Sequence, residues 1–156
     1  MEKGLPLSAE FTVRLPVVAA YDIVNHRRKE FSGGKGSARF SVDLKPGRGS
    51  IIVVLPRPIA KVSLNAPRRL KRGEDFSIEA FAADKRGKGF SAVLPIEIQF
   101  SSGGKVLPGT GFYATDRSGK LVYKDTVALN LPRGKAVLTV RCLASGLSAS
   151  REIMID

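Results

Sequence analysis

Apolar and polar residues alternate along most of the second half of the chain, at the two-residue period of a half-buried β-strand. Phe76, Ile78 and Ala80, for example, are separated by Ser77 and Glu79, so the apolar side chains share one face. Helical periodicity is almost absent. We predict seven strands after residue 58, around residues 62–66, 76–82, 94–100, 112–115, 120–127, 136–143 and 147–155.

Short polar turns separate several of these strands. Residues 116–120 (DRSGK), 131–135 (LPRGK) and 144–147 (ASGL) combine glycine with polar or proline neighbours, a composition typical of tight chain reversals. We interpret them as consecutive hairpins of an antiparallel sandwich. Seven short strands at this spacing predict an all-β fold, an Ig-like antiparallel β-sandwich, although the cysteine pair and tryptophan of antibody domains are missing.

The first half of the chain predicts a separate, smaller β-module. Its strands are expected at residues 10–15, 17–24, 38–44 and 50–55, and residues 51–55 of the last strand are continuously apolar, which predicts burial on both faces. Pro56 and Pro58 then interrupt the chain, and proline stiffens the backbone and cannot donate to a β-ladder. We therefore predict two domains, residues 1–58 and 59–156. The first is either a small β-module in its own right or the tail of a larger β-domain.

The charge balance points to anionic partners. The 156 residues include 26 lysines and arginines against 14 acidic residues, a net charge of +12, and such a surface attracts polyanions. No apolar run is long enough to span a membrane, and the N-terminus has no apolar signal-peptide core, so we expect that, if the protein is exported, its signal lies upstream of Met1 or has been removed.

Residues that carry chemistry are scarce. His26 is the only histidine and lies in a basic segment, residues 25–29, which we interpret as a turn. Cys142 is the only cysteine and is in phase with the apolar face of its strand, so we expect it to be buried. The glycine pairs do not form a phosphate-binding loop, and the carboxylates are interpreted as solvated or turn residues. We predict no catalytic residue, no metal site and no cofactor, and therefore not an enzyme.

A family resemblance extends this picture. The motif Asp116-x-x-Gly119-Lys120, followed by a strand, Leu131-Pro132-x-Gly134, a second strand and residues 145–149 (SGLSA), resembles bacterial Ig-like domains and the related macroglobulin-type sandwiches. In residues 10–58, Tyr21-Asp22 followed by Asp43-Leu44-x-Pro46-Gly47 and Leu55-Pro56 is similar to small C-terminal β-modules of large secreted bacterial proteins, including carbohydrate-active enzymes. The resemblance implies a non-catalytic accessory, structural or adhesive module of a larger bacterial extracellular protein, secreted or at the cell surface, with other domains of that parent as partners.

Two alternative functions remain open, and each has its own candidate residues. A carbohydrate-binding module would use exposed aromatic rings as platforms, for which Tyr113 and Phe81 are the candidates. Binding of a polyanion, either nucleic acid or a sulfated glycan, would use basic loops predicted to share one end of the sandwich. The candidates for that surface are Arg68, Arg69, Lys71, Arg72, Lys105, Arg133 and Lys135.

Overall fold

The computed structural model describes residues 7–34, 36–44, 49–107 and 111–156. The chain divides into two compact units, Met1–Pro58 (unit 1) and Ile59–Asp156 (unit 2). All regular elements in the described ranges are β-strands, which confirms the prediction of an all-β, sandwich-type fold. Within those ranges we find no helix with the length and apolar character needed to cross a membrane.

Unit 1 contains two small antiparallel sheets. In the first, β1 pairs with β4, and in the second, β2 lies between β3 and β5. Ala20, Ala38, Phe40 and Val42 form the buried centre of this unit. The strands are β1 (Leu7–Val13), β2 (Ala19–Asp22), β3 (Arg27–Arg28), β4 (Ala38–Leu44) and β5 (Ile52–Leu55).

Two details of unit 1 differ from the sequence-based expectation. The basic segment 25–29 is not a turn throughout, because Arg27 and Arg28 form a short strand that returns along β2 after a turn at residues 23–26. The apolar run 51–55 is not buried on both faces: Ile51 is 59% exposed and only Leu55 is fully buried. A small module has too few strands to cover both faces of an edge strand.

Unit 2 is a sandwich of two sheets. The larger has the order β10-β9-β13-β14-β7, with β11 also paired to β9, and the smaller has the order β12-β8-β6. All pairs are antiparallel except β14 with β7. The strands are β6 (Lys61–Asn65), β7 (Arg69–Leu70), β8 (Asp75–Ala83), β9 (Pro95–Ser102), β10 (Lys105–Val106), β11 (Gly111–Ala114), β12 (Lys120–Thr126), β13 (Gly134–Cys142) and β14 (Ser148–Ile155).

The core of unit 2 consists of the inward positions of the alternating strands. Ile96, Ile98, Leu138 and Val140 are completely buried, and Cys142 continues the same row, which confirms its predicted burial. Burying an aliphatic side chain of this size contributes about 1.5–3 kcal/mol before ordering costs. The two sheets are therefore held together by residues that the alternation pattern identifies.

The prediction of consecutive hairpins is wrong for two of the three turns. Residues 144–146 do connect the hairpin β13–β14. Residues 116–120, however, connect β11 in the larger sheet to β12 in the smaller one, and residues 131–135 lead back from β12 to β13. A tight turn can reverse the chain within one sheet or carry it across to the facing sheet, and pairing with distant strands decides which.

Candidate polyanion-binding surface

Four neighbouring strands of the larger sheet reach the same end of unit 2. Gly134 at the start of β13 pairs with Ile155 of β14, which pairs in turn with Leu70 of β7. On the other side, Ser102 Oγ at the end of β9 donates to the Lys135 carbonyl at 2.8 Å. This register places at one end of the sheet the residues that lie in or next to the ends of these strands and of β10. We call this surface the basic end; it comprises Arg68, Arg69, Lys71, Arg72, Lys105, Arg133 and Lys135.

Three of these seven cations have carboxylate partners. Arg69 donates through Nη2 and Nε to Asp156 at 2.7 and 3.0 Å, Lys71 lies 2.8 Å from Glu74 Oε1, and Lys135 lies 3.1 Å from Glu152 Oε1. The hydrogen bond to Asp156, assisted by its charge, raises the pKa of Arg69, and Glu74 raises the pKa of Lys71 in the same way. All six side chains are exposed, so these pairs reduce the local positive charge while stabilising the fold little.

The other four cations of the basic end have no carboxylate partner in the described ranges: Arg68, Arg72, Lys105 and Arg133. Two of them, Arg72 and Arg133, line a surface cavity of about 690 Å³. Its remaining lining residues are Lys71, Leu129, Ile155 and Asp156. The cavity is therefore lined by two arginines that have no described carboxylate partner, and guanidinium groups match the geometry of sulfate or phosphate oxygens.

Backbone contacts hold one wall of this cavity in place. Gly73 N–H donates to the Val127 carbonyl at 2.7 Å, and Val127 N–H donates to the Glu74 carbonyl at 3.0 Å. Arg72 Nη1 also makes a weak hydrogen bond of 3.4 Å to the Leu129 carbonyl. Gly73 has a φ of 81°, which glycine adopts readily, so the turn that carries Arg72 requires a glycine at this position.

The two candidate glycan-stacking rings are both engaged in packing. The Tyr113 ring lies 4.7 Å from the Tyr123 ring, centroid to centroid, and Tyr123 OH donates to Asp125. Burial, followed by the hydrogen bond to Asp125, raises the pKa of Tyr123 above its ordinary value. Phe81 is half-buried and its ring lies directly over Gly89, where a Cβ would be only 2.7 Å from Cε2. The structure does not bring Tyr113 and Phe81 together: Tyr113 packs on Tyr123, which lies opposite Ile78 of β8, whereas Phe81 lies three residues further along β8 and so on its other face.

The residues with metal-binding potential do not cluster. His26 lies in the β2–β3 turn of unit 1, with a φ of 50°, and Cys142 is buried in unit 2. Among the described residues, no group of three or more histidine, cysteine, aspartate or glutamate side chains is placed to hold a metal ion.

A buried carboxylate in unit 1 has a structural role. Asp22 accepts hydrogen bonds from the Asn25 backbone N–H at 3.1 Å and from its side-chain amide at 2.7 Å. Burial alone would raise the pKa of Asp22, but these hydrogen bonds, with further help from the Val24 N–H and Arg27, lower it overall. The carboxylate therefore closes the β2–β3 turn.

Comparisons with known proteins identify no family for this chain. No family model matches, and no curated protein matches. Among solved structures, a superoxide reductase (neelaredoxin) from Ignicoccus hospitalis is 16% identical, with a TM-score of 0.43, covering 63% of this chain and 82% of its own. A putative superoxide reductase from Thermotoga maritima is 14% identical, with a TM-score of 0.44, and the match covers 64% of this chain and 88% of that one. A CARDB domain from Pyrococcus furiosus, in complex with di-metal ions, is 8% identical, with a TM-score of 0.38, and the match covers 62% of this chain and 86% of that one.

These matches contradict one prediction. The expected non-catalytic accessory, structural or adhesive module of a larger bacterial extracellular protein is overturned, because the first structures matched are those of enzymes, the superoxide reductases. We withdraw that interpretation. At these identities and TM-scores the likeness concerns the fold and transfers no activity to this chain.

Proposed function

We propose that this protein binds a linear polyanion, a sulfated glycan, through the basic end of unit 2. The observation that carries the proposal is the position of Arg72 and Arg133 on one cavity, neither of them neutralised by a described carboxylate. Lys105 and Arg68 extend the positive surface on either side. A function of this kind requires no catalytic residue.

The chemistry of the cavity supports a ligand that is recognised by charge. Its lining contains arginine, lysine, leucine, isoleucine and aspartate, and no aromatic ring. Proteins that bind single-stranded nucleic acids usually stack the bases on aromatic side chains, which this surface does not offer. A sulfated glycan carries its charge at intervals along a chain without bases, so it suits a surface of separated cations.

We also infer that unit 2 belongs to the bacterial Ig-like, macroglobulin-type sandwiches. Its support is the turn chemistry: Asp116 Oδ1 accepts the N–H groups of Ser118 and Lys120, at 2.8 and 3.0 Å, and Gly119 has a φ of 80°. A location outside the cell or at its surface, and further domains of a parent protein as partners, stay predictions. Sulfated polysaccharides are typical of that environment, so the proposed ligand agrees with it.

The test measures binding of a fluorescently labelled heparin fragment by anisotropy at about 0.1 M salt, where screening still permits surface charge to act. In a chain whose exposed cations at the other end of β8 (Lys85, Arg86, Lys88 and Arg117) are already replaced by glutamine, adding Arg72→Gln/Arg133→Gln should weaken binding more than about tenfold, since each cation near an anionic surface contributes about 1 kcal/mol. The matched control is Lys124→Gln/Arg141→Gln, which removes the same charge from β12 and β13.

The outcome distinguishes a site from general attraction. If both double variants lose affinity equally, the net charge alone binds heparin and the basic end is not the site. If duplex DNA of equal length binds more tightly than heparin at every salt concentration, the proposed ligand class is wrong.

A further inference from the structure

Two turns of unit 2 share one sequence pattern and one geometry. Residues 84–88 (DKRGK) and 116–120 (DRSGK) both follow Asp-x-x-Gly-Lys. In each, the aspartate Oδ1 accepts the backbone N–H groups of the third and fifth residues, at 2.9 and 2.9 Å in the first turn and at 2.8 and 3.0 Å in the second. The fourth residue, glycine, has a φ of 81° and 80° respectively. Both turns are therefore built by the same side-chain-to-backbone hydrogen bonds.

The second turn packs against the segment that follows the first turn. The first turn follows β8 and the second precedes β12, and these strands are paired, with Lys120 opposite Phe81. A Cβ on Gly119 would lie 3.1 Å from the Phe90 carbonyl oxygen, and a Cβ on Gly89 would lie 2.8 Å from the Ser118 carbonyl oxygen. The strand pairing and this close approach to residues 89–90 together place the two turns at the same end of the smaller sheet. We call residues 84–88 and 116–120 together the paired turns.

The paired turns carry cations that point to solvent. Lys85, Arg86, Lys88 and Arg117 are all exposed, and none of them forms an ion pair within the described ranges. Lys61 adds a fifth cation, because its Nζ lies 3.8 Å from the position of a Cβ on Gly87.

The acidic groups nearby are engaged elsewhere. The two aspartates accept the turn N–H groups described above, and Glu79 on the outer face of β8 lies 2.6 Å from Lys120. The hydrogen bond from Ser118, followed by that from the Lys120 N–H, lowers the pKa of Asp116. The surface thus combines preorganised backbone with cations that no described carboxylate neutralises, whereas three cations of the basic end are ion-paired.

The paired turns and the basic end lie at opposite ends of β8. The paired turns adjoin Ala83, the last residue of that strand, whereas Glu74, which precedes its first residue, contacts Lys71 of the basic end. The 9 residues of β8, at about 3.3 Å each, place the two surfaces about 30 Å apart, well beyond the Debye length of about 8 Å at physiological salt. One short stretch of polyanion bound at one end therefore leaves the other end available.

We propose that the paired turns form a second polyanion-binding surface and that one molecule of this protein bridges two sulfated glycan chains. The ligand class rests on the proposed function of the basic end. Bridging adds a property that neither surface has alone, because it converts a binding protein into a cross-linker of polysaccharide chains.

The experiment is a two-chain capture assay with the full-length protein. Heparin is immobilised, the protein is bound to it, and a labelled soluble heparin fragment is then added. We expect the native chain to capture the labelled fragment. The variant Lys85→Gln/Arg86→Gln/Lys88→Gln/Arg117→Gln should stay bound to the immobilised heparin and should lose at least about nine-tenths of the capture. Its turns should survive, because their hydrogen bonds use backbone N–H groups and the aspartates, which an unchanged melting temperature would verify.

Each result has a definite meaning. If the native chain binds immobilised heparin but captures no second fragment, the bridging proposal is wrong, whereas the function proposed for the basic end is not affected. If capture is unchanged in the paired-turn variant, the second surface lies elsewhere. If the Arg72→Gln/Arg133→Gln variant binds and captures normally, the function proposed for the basic end fails instead. Light scattering without heparin should give the same mass for native and variant chains, so that self-association does not account for the difference.

Discussion

The two ends of unit 2 are both basic, but they are constructed differently. At the basic end, the cations flank strands whose register is fixed by residues far apart in sequence, and Asp156, Glu74 and Glu152 neutralise three of them. At the paired turns, each cation belongs to a five-residue segment that is organised by its own aspartate. The difference shows that the position of surface cations can depend on long-range packing at one end of a domain and on local hydrogen bonds at the other.

Loss of core packing should therefore damage the basic end most. Ile155 is 2% exposed, pairs with both Gly134 and Leu70, and lines the cavity. We expect Ile155→Ala to lower the free energy of unfolding by about 2–5 kcal/mol, the usual cost of a large-to-small core substitution. Urea unfolding measures this. Val137→Ala is the control, since Val137 is 39% exposed on the outer face of β13.

The comparison would fail if Ile155→Ala, at a temperature where it stays folded, weakened capture by the paired turns as strongly as heparin binding at the basic end. That result would mean that the two surfaces share one support.

The next largest effect concerns the glycines of the paired turns. Both have φ near +80°, where a Cβ costs about 1–2 kcal/mol. A Cβ on Gly87 would have only Lys61 Nζ nearby, at 3.8 Å, whereas a Cβ on Gly119 would lie 3.1 Å from the Phe90 carbonyl oxygen and 3.2 Å from its nitrogen. We expect Gly87→Ala to cost about 1 kcal/mol and Gly119→Ala about 2–3 kcal/mol in urea unfolding. Equal losses would show that the second turn is not in close backbone contact with Phe90.

The contrast between the two ends also explains what could be predicted from the sequence. The alternation of residues 76–82 and 136–142 predicted strands and inward faces correctly, because burial in a sandwich follows the two-residue period. The turn at residues 116–120 was recognised for the same local reason. The all-β class followed from these patterns together.

What depends on distant pairing was not predictable. Arg69 and Leu70 form a short parallel strand beside β14, and Arg69 binds Asp156 across 87 positions of sequence. No local pattern announces either contact. The same reason accounts for the mistaken hairpin at residues 116–120, because the turn itself is compatible with both connections. The repeated motif was visible in the sequence, but the contact between its two copies was not.

The smallest expected effect is a difference in pH dependence between the two ends. At the paired turns the pKa of Asp116 is lowered from its ordinary value of 3.8, so its contribution to stability is fully present above about pH 4 and is lost as the pH falls through the lower, folded-state pKa. At the basic end the pKa of Lys71 is raised from 10.5, so its contribution is fully present below that value and is lost only at higher pH.

We therefore expect Asp116→Asn to flatten the fall in stability between about pH 5 and 2 slightly, because asparagine can accept the same turn hydrogen bonds but does not titrate. Lys71→Gln should not change this loss of stability at acidic pH and should instead reduce the loss of stability above about pH 10.5. Melting temperatures across the pH range measure the acidic and the alkaline loss of stability separately. They should be recorded at low salt, because both groups are solvent-exposed. If the loss of stability at acidic pH responded to Lys71→Gln and not to Asp116→Asn, the acid-sensitive contact would lie at the basic end and not at the paired turns.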